Sequence, residues 1–265
     1  MRPKKSETRR SLIADRISAS GSCMATELAD EFKVSIMTIH RDLDELQRRG
    51  IVRKFHGGAT TQPSSIFESR MSVRLAVEPA KKIAIANYAL NFVQSGMSIV
   101  LDDSTSAMQM IPGLAERSPL HVSTTFLAGL GRLSELQNTS DICVIAIGGR
   151  YDTSHDSFVG IQTIDQISSM RWDACFMSTS SVNGHAIYHQ EDHIVGVKRA
   201  MMDASTKNYL LVDNSKIDKV ALHKLADLNE FELVITDDSA NPKVLDEWAQ
   251  RGVKFEVVTV SKNVI

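Results

Sequence analysis

Residues 98–260 alternate between short apolar segments rich in β-branched residues and longer segments with helical spacing, and this alternation restricts the fold more than any other feature. The strand-like segments are 98–101, 120–123, 142–147, 174–178, 209–212, 232–236 and 255–260. The helical segments between most of them are 106–115, 126–136, 160–170, 194–205 and 243–250. This order predicts an α/β fold, with a mostly parallel sheet covered by helices on both faces.

The size and composition of the chain exclude several classes of protein. Its 265 residues are enough for one large domain or two smaller ones. No apolar run approaches the roughly 20 residues that span a bilayer, and no apolar stretch follows the basic N-terminus, so we expect neither a membrane partner nor a signal peptide. Cys23, Cys143 and Cys175 are far apart in sequence, which indicates a reducing cytoplasm and argues against a disulfide framework or a zinc site.

The net charge of −2 conceals an uneven distribution of charge. Residues 1–60 contain 12 Lys and Arg against 8 Asp and Glu, whereas the remaining residues contain 18 against 24. A basic N-terminal part on an acidic body indicates that only the N-terminal part meets a polyanion.

The basic part has the pattern of three short helices. Helical spacing predicts the first over about 7–19 and the second from about Met24. Ser35 is a suitable N-cap for the third, because its hydroxyl can accept from a free backbone N–H. Ile39, Leu43 and Leu46 recur at helical spacing and are expected to face inward.

The outward face of the third helix carries groups that read DNA. Three short helices, the third projecting polar and basic side chains, match helix-turn-helix geometry. Arg41 can reach a guanine edge or a phosphate, and Thr38 can serve either role. Residues 51–54 and 55–58 predict the two strands of a basic wing that follows the phosphate backbone. The expected DNA contacts are Ser35, Met37, Thr38, His40, Arg41, Arg53, Lys54, His56 and Gly57.

A linker is expected between the two parts of the chain. Residues 60–65 are polar and include a proline, and a new helix is predicted from Pro79, since proline suits the first helical position. The expected organisation is a winged helix-turn-helix domain at 1–60, a linker at 61–78 and an effector-binding α/β domain at 79–265.

The motif of the N-terminal part resembles the DNA-binding domain of the DeoR family of bacterial transcriptional regulators. The resemblance rests on Ser35, Thr38-Ile39, Arg41-Asp42-Leu43, Leu46 and Gly50, followed by Arg53 and His56-Gly57-Gly58-Ala59. The family usually has two adjacent arginines before Asp-Leu, and here the first of them is His40. This departure bears on which base pair that position reads.

Polar residues follow several of the predicted strands, at the edge where parallel α/β sheets bind ligands. The segments are 102–106, 124–125, 148–149 and 213–216. Hydroxyls and free N–H groups at a helix N-terminus favour an anion such as phosphate, and glycines permit a close approach of the backbone. Lys216 can neutralise a phosphate as a point charge.

The same segments resemble the C-terminal sensor domain of the DeoR family, which is similar to ribose-5-phosphate isomerase and binds phosphorylated sugars or related metabolites. Ser104 and Thr125 stand where that family has a glycine and an asparagine, and a serine in place of the glycine implies a narrower loop. Either the effector differs from a simple sugar phosphate, or its phosphate group occupies a slightly different position. The residues implied to bind the effector are Asp102, Asp103, Ser104, Thr105, Ser106, Thr124, Thr125, Gly148, Gly149, Lys198, Asp213 and Lys216.

The expected function is that of a cytoplasmic transcriptional repressor of carbohydrate-metabolism genes. Its expected partners are double-stranded operator DNA, a phosphorylated small-molecule effector and further copies of the chain in a dimer or tetramer, with no cofactor. One alternative is a sugar-phosphate isomerase-like enzyme with an added DNA-binding part, for which Asp102, Asp103 and Asp213 are the candidate bases. Another is an interaction protein whose N-terminal part contacts a protein.

Three histidines have a spacing that can occur in metal sites. His185, His189 and His193 have i, i+4 spacing, which on a helix would place them on one face. Asn183-Gly184 is a turn signal, however, and the segment lacks a convincing helical pattern. No metal site is therefore expected.

Overall fold

The computed structural model describes residues 5–61, 64, 68 and 71–261. Contacts divide the chain into two compact units, 1–76 and 77–265, and each unit is described by itself. Among the described residues, every helix is too short or too polar to cross a bilayer.

The first unit combines helices with a small antiparallel sheet. Its elements are α1 (Lys5–Ser20), β1 (Ser22–Met24), α2 (Ala25–Phe32), α3 (Ile36–Arg48), β2 (Arg53–Phe55), β3 (Gly58–Thr60) and α4 (Met71–Ala76). The sheet has the order β1-β3-β2, with antiparallel pairing throughout. The three helices and the wing are thus confirmed, and α4 lies within the stretch expected to be a linker.

The wing differs from the sequence prediction in register and in strand number. The strands expected at 51–54 and 55–58 are instead β2 and β3, joined through a turn at His56 and Gly57. Gly57 has φ +83°, a left-handed conformation that favours glycine, so the second strand cannot begin before Gly58. Strand β1 has only three residues, too few to show a period of two in the sequence.

The helices of this unit pack around one apolar core. Ile39, Leu43 and Leu46 of α3 are buried, as their spacing predicts, together with Ile13 and Ile17 of α1. Burial of each such side chain contributes about 1.5–3 kcal/mol. These contacts fix which face of α3 remains in solvent.

A buried ion pair joins α1 to α3. Asp42 is 2% exposed and accepts from Nε of Arg9 at 2.6 Å and from Nε of Arg10 at 2.9 Å. Arg49 reaches from the end of α3 to Glu7 of α1 and also donates to Glu45 at 2.7 Å. Part of the basic charge that the sequence assigns to DNA therefore stabilises the unit itself.

The second unit is built on a seven-stranded sheet. Its helices are α5 (Pro79–Ala89), α6 (Ile111–Leu114), α7 (Leu127–Gln137), α8 (Ile161–Ser168), α9 (Asp192–Asp203) and α10 (Pro242–Gln250). Its strands are β4 (Ser98–Leu101), β5 (Leu120–Thr124), β6 (Ile142–Ala146), β7 (Arg150–Asp152), β8 (Ser157–Val159), β9 (Trp172–Met177), β10 (Ser181–Asn183), β11 (Ala186–His189), β12 (Ser205–Leu211), β13 (His223–Asp227), β14 (Leu233–Asp237) and β15 (Phe255–Val258). The sheet order is β15-β14-β12-β9-β4-β5-β6, and every pairing in it is parallel. The α/β prediction is confirmed.

Side chains on both faces of this sheet are buried. Val100 and Leu210 pack in one cluster with Met201 of α9 and Trp248 of α10. Their sequence neighbours, such as Ile99, point to the other face because side chains alternate along a strand, and they are buried as well. This burial on both sides explains the nearly continuous apolar strands in the sequence.

Several elements depart from the predicted ones. The helix expected over 106–115 is broken into 3-10 turns at Ala107–Met110 and Ala115–Arg117 around the four-residue α6, which contains Pro112 and Gly113. The helix expected to reach Ser205 ends at Asp203, and Ser205 begins β12. The β7–β8 hairpin and a second sheet of order β10-β11-β13 were not predicted, since each strand is short and partly polar.

We predict that Asp42→Asn destabilises the first unit by about 1–3 kcal/mol, because a neutral amide leaves Arg9 and Arg10 without their buried counter-charge. Hydrogen exchange of the amides of α1 and α3 in the full-length chain measures this loss. Asp44→Asn is the control: Asp44 is 62% exposed, and its pairing with Lys54 should contribute less than about 1 kcal/mol. Equal exchange in both variants would contradict the structural role of Asp42.

Candidate DNA interface and effector site

The start of α3 is prepared for contact with an anion. Oγ of Ser35 accepts from the backbone N–H of Thr38 at 3.2 Å, and the hydroxyls of Ser35 and Thr38 lie 2.9 Å apart. The first turn of the helix has no acidic residue. Free N–H groups and the helix dipole therefore favour a backbone phosphate at this end.

The solvent face of α3 presents Met37, His40 and Arg41. Met37 is 61% exposed, Arg41 is exposed and His40 is half-buried. Within the described parts of the chain, neither Arg41 nor His40 has a polar partner. By contrast, Arg48 and Arg49 near the end of α3 hydrogen-bond to Glu45, and they hold the pKa of that carboxyl at about 2. Arg41 is thus the cation on this helix that remains available to DNA.

The wing is attached to α3 by side-chain contacts. The backbone N–H of Lys54 donates to Oε1 of Gln47 at 2.7 Å, and the Lys54 ammonium pairs with Asp44. His56 and Phe55 are exposed at the tip, while Arg53 is half-buried. His56 and Gly57 therefore lie in the turn at the tip of the wing, and their contact with DNA stays a prediction. The Lys54 ammonium must leave Asp44 before it can contact a phosphate.

A buried ionic network lies where β4 ends in the second unit. The ammonium of Lys198, on α9, bonds to Asp102 and lies 2.8 Å from Oδ1 of Asp103. All three side chains are buried. Burial opposes the charge of Lys198, but the two carboxylates outweigh it and raise the pKa of the ammonium. Lys198 is therefore charged, and its charge is already matched by protein carboxylates.

Two serines that the sequence reasoning missed extend this network. Asp102 accepts from the backbone N–H of Ser104 at 3.0 Å and of Ser178 at 2.8 Å, and Asp103 accepts from Oγ of Ser157 at 3.1 Å. Lys216 donates from Nζ to Oγ of Ser178 at 2.8 Å. Ser178 follows β9 of the parallel sheet and Ser157 begins β8 of the β7–β8 hairpin, so only the folded chain brings them to Asp102 and Asp103.

The network joins four of the predicted effector residues, which are Asp102, Asp103, Lys198 and Lys216. It explains why Asp102 is an unsuitable general base: both of its oxygens already accept backbone hydrogen bonds, and Oδ2 also pairs with Lys198. The two carboxylates outnumber the one ammonium of Lys198. An anionic ligand at this edge therefore depends on Lys216 and on N–H and hydroxyl donors.

The predicted hydroxyl residues around this edge are buried and differ in their partners. Oγ of Ser104 accepts from the N–H of Ala107 at 3.0 Å, and Oγ1 of Thr124 accepts from the N–H of Phe126 at 3.1 Å. Both hydroxyl oxygens are therefore bonded to the backbone of the segment that follows them. Oγ of Ser106 is buried and has no hydrogen-bond partner in the described structure. The side chains of Thr105 and Thr125 are also buried.

Asp213 has a similar unsatisfied atom after β12. Its Oδ1 accepts from the N–H of Ser215 at 3.1 Å, whereas its Oδ2 is buried with no hydrogen-bond partner among the described residues. A buried carboxylate oxygen without a donor is unfavourable, and a contact of this oxygen with an effector stays a prediction.

Gly148 and Gly149 make contacts with α8 that do not involve a ligand. The N–H of Gly148 donates to Gln166 of α8 at 3.0 Å, and its carbonyl accepts from Oγ1 of Thr163 at 2.9 Å. A Cβ on Gly149, which has φ +149°, would lie 1.9 Å from Oγ1 of Thr163. Gly149 therefore allows α8 to approach the chain after β6, whereas a Cβ on Gly148 would meet no atom within 4 Å, and contact of either glycine with an effector stays a prediction.

His185, His189 and His193 do not form one common site. His185 faces Asp227 at 3.6 Å, and Nδ1 of His189 accepts from the N–H of Glu191 at 3.2 Å. His193 instead lies 3.1 Å from Glu191 and 3.3 Å from Asp152. The pKa of Asp152 is held well below its usual range, mainly by the imidazole of His155 beside it.

A surface cavity of about 510 Å³ lies between α5 and β15. Its lining includes Ile83, Tyr88, Val257 and Thr259. None of the predicted effector residues contributes to this lining, so its size alone is no guide to the effector site.

Comparison with known families agrees with both halves of this description. A family described as "DeoR-like helix-turn-helix domain" matches residues 9–65, and one described as "DeoR C terminal sensor domain" matches residues 77–238.

Curated proteins similar to the chain over almost its whole length are regulators. The L-fucose operon activator of Haemophilus influenzae is 29% identical over 94% of this chain and 97% of its own. The uncharacterized HTH-type transcriptional regulator YgbI of Escherichia coli is 32% identical over 96% and 98%. The glycerol-3-phosphate regulon repressor of Escherichia coli is 26% identical over 92% and 96%.

Among solved structures, ribose 5-phosphate isomerase A from Methanocaldococcus jannaschii is similar at 15% identity and a TM-score of 0.38. It covers 51% of this chain and 53% of its own. Likeness this distant carries no functional argument.

We predict that Lys198→Met destabilises the second unit by about 3–5 kcal/mol, because it leaves Asp102 and Asp103 buried without a counter-charge. Urea unfolding followed by the fluorescence of Trp172 and Trp248, both in this unit, measures the loss. Lys243→Met, at an exposed position of α10, is the control and should change stability by less than about 0.5 kcal/mol. A loss below about 1 kcal/mol in Lys198→Met would show that the network does not stabilise the fold.

Proposed function

Because the chain belongs to the DeoR family of transcriptional regulators, we propose that it is a repressor of carbohydrate-metabolism genes whose second unit binds a phosphorylated sugar or a related metabolite. Membership of this family makes the chain a DNA-binding regulator and not an enzyme. The observation that carries the DNA-binding part is the solvent face of α3, where Arg41 is exposed and has no polar partner among the described residues.

The proposed docking places α3 in the major groove. Arg41 reads a base edge, and the N-terminal turn of the helix with Ser35 and Thr38 meets a phosphate. The wing, with Arg53 and His56, follows the backbone beside it. A two-fold operator requires at least two copies of the helix, so we propose that the chain acts as a homo-oligomer, a dimer or a tetramer, in the cytoplasm.

The proposed effector site is the edge of the sheet around the buried network. Lys216 supplies a positive charge, while the unpartnered atoms of Ser106 and Asp213 supply a hydroxyl and a carboxylate oxygen for a polyhydroxylated ligand. Lys198 positions Asp102 and Asp103 and does not neutralise the ligand, since its charge is already matched. This division of roles supports a ligand with one anionic group and several hydroxyls.

The proposed direction of control is release of DNA by the effector. A ligand can shift a two-state equilibrium only if it binds one state more tightly. The glycerol-3-phosphate regulon repressor, to which the chain is similar, supports repression, whereas the L-fucose operon activator is a similar protein that activates. Operator binding measured with and without sugar phosphates tests this direction, and tighter DNA binding on adding the effector would contradict release of DNA.

We predict that Arg41→Ala weakens binding to a duplex selected in vitro with the wild-type protein by about 1–3 kcal/mol, roughly 5- to 150-fold in Kd. Fluorescence anisotropy at fixed salt concentration measures this change. Arg48→Ala is the matched control on the same helix, because Glu45 already binds that guanidinium, and its Kd should change by no more than roughly threefold. Unchanged affinity in Arg41→Ala would remove α3 from the interface.

We predict that the melting temperature of the full-length chain rises with a phosphorylated sugar or sugar acid, and that Lys216→Met abolishes this rise by removing the charge that meets the anion. A thermal-shift screen identifies the ligand class. Lys219→Met, at an exposed position three residues away, should keep the full response. An equal response in both variants would mean that Lys216 does not contact the anion.

A further inference from the structure

Four side chains with metal-binding groups meet beside the β7–β8 hairpin. Asp152 ends β7, His155 lies in the turn of the hairpin, and Glu191 and His193 lie at the start of α9. The Nε2 of His193 is 3.3 Å from Oδ2 of Asp152 and 3.1 Å from Oε2 of Glu191. The Nδ1 of His155 is 3.5 Å from Oδ1 of Asp152 and 3.8 Å from the same Oε2 of Glu191.

His155 is the member of this cluster that ordinary packing does not explain. Its side chain is 1% exposed, and neither ring nitrogen has a hydrogen-bond partner in the described structure. Buried polar groups nearly always form hydrogen bonds, so an imidazole whose two nitrogens both lack one points to a ligand. Its Nδ1 faces the two carboxylates, which is the direction from which a cation would be bound.

The separations fit donors around one ion better than they fit ion pairs. An imidazolium buried against a carboxylate is expected to donate a short, charge-assisted bond of about 2.7–2.9 Å. Ligands held at about 2.0–2.2 Å in a tetrahedron lie about 3.3–3.6 Å from one another. Donor atoms of Asp152, Glu191 and His193 all lie within 4.8 Å of one another, and the separations of Nε2 of His193 from the two carboxylates, 3.3 and 3.1 Å, are close to this second range.

The surroundings hold the donors in place. Oδ1 of Asp152 accepts from the backbone N–H of Ser154 at 2.8 Å and of His155 at 3.1 Å. The side chain of Glu191 makes no capping hydrogen bond to α9, although Glu191 is the N-cap residue. Its carboxylate is therefore directed to the histidines and not used by the helix. Support of the metal-binding side chains by neighbouring groups is typical of metal sites.

We propose that Asp152, Glu191 and His193 bind one divalent transition-metal ion, of which Zn²⁺ is the representative, with the buried His155 facing the same two carboxylates. An imidazole with two carboxylates suits such an ion, whereas Mg²⁺ and Ca²⁺ prefer oxygen ligands alone. The two carboxylates exclude a phosphate group as the occupant. The expectation of no metal site, which rested on His185, His189 and His193, is replaced by a set that includes only the last of these.

The bound ion would connect two segments that also serve the effector site. The hairpin carries Ser157, which donates to Asp103, and α9 carries Lys198, which pairs with Asp102 and Asp103. The ion would thus hold both segments against each other. This consequence rests on the proposed function, whereas binding of the ion does not.

Isothermal titration of the tag-free, chelator-treated full-length protein tests the site, with Zn²⁺ as the probe and Mg²⁺ as the comparison ion. We expect saturable binding of one Zn²⁺ per chain and no comparable binding of Mg²⁺. His193→Ala and Glu191→Gln should each weaken Zn²⁺ binding by about 10–100-fold or more, with circular dichroism showing that both variants remain folded. His185→Ala, which removes a more exposed histidine beside Asp227, should leave it unchanged.

Absence of binding at one equivalent, or Zn²⁺ binding that is unchanged in both His193→Ala and Glu191→Gln, would overturn the proposal. Titration with Co²⁺ gives a second readout, because coordination by His193 changes the visible absorption of the ion and His193→Ala should abolish that change. No DNA or sugar phosphate is present in these measurements. Their failure therefore leaves the proposed function untouched, and failure of the effector screen leaves the metal site untouched.

Discussion

The ammonium of Lys198, buried between Asp102 and Asp103, is the interaction on which the second unit depends. It joins α9 to the chain that leaves β4, and through Ser178 and Ser157 it reaches the ends of β9 and the β7–β8 hairpin. Three charged groups buried together are stable only if each is paired and hydrogen-bonded. The loops at this edge of the sheet are therefore held in one arrangement before any ligand arrives.

This constraint also separates residues that position the site from residues available to a ligand. Asp102 and Lys198 are occupied by each other and by backbone groups, so they organise the edge. Ser106 and Asp213 keep buried atoms that have no hydrogen-bond partner in the part of the chain that the structure describes, and such atoms can recognise a polar ligand. A rigid frame with a few unsatisfied groups binds with less loss of conformational entropy than a flexible loop does.

The sequence predicts those features that depend on local patterns, and it does not predict those that depend on distant parts of the chain. The parallel strands and α3 are read from apolar spacing and from the cap at Ser35, because burial and capping act within a few residues. The salt bridges of Asp42 and the serines around Asp102 and Asp103 depend on pairs separated by tens of residues, which periodicity does not reveal. The His155 cluster was missed for the same reason, since hairpin and helix meet only in the folded chain.

The pairing of basic residues within the first unit changes how strongly it should attract DNA. At least six of the twelve Lys and Arg residues at positions 1–60 already face carboxylates of the same unit, namely Arg9, Arg10, Arg16, Arg48, Arg49 and Lys54. Only cations that meet phosphates release counterions from the duplex, and the number released sets how affinity changes with salt. The affinity of the first unit for DNA should therefore fall with salt concentration far less steeply than its composition implies. A larger share of its discrimination among DNA sequences then depends on the few side chains on the solvent face of α3.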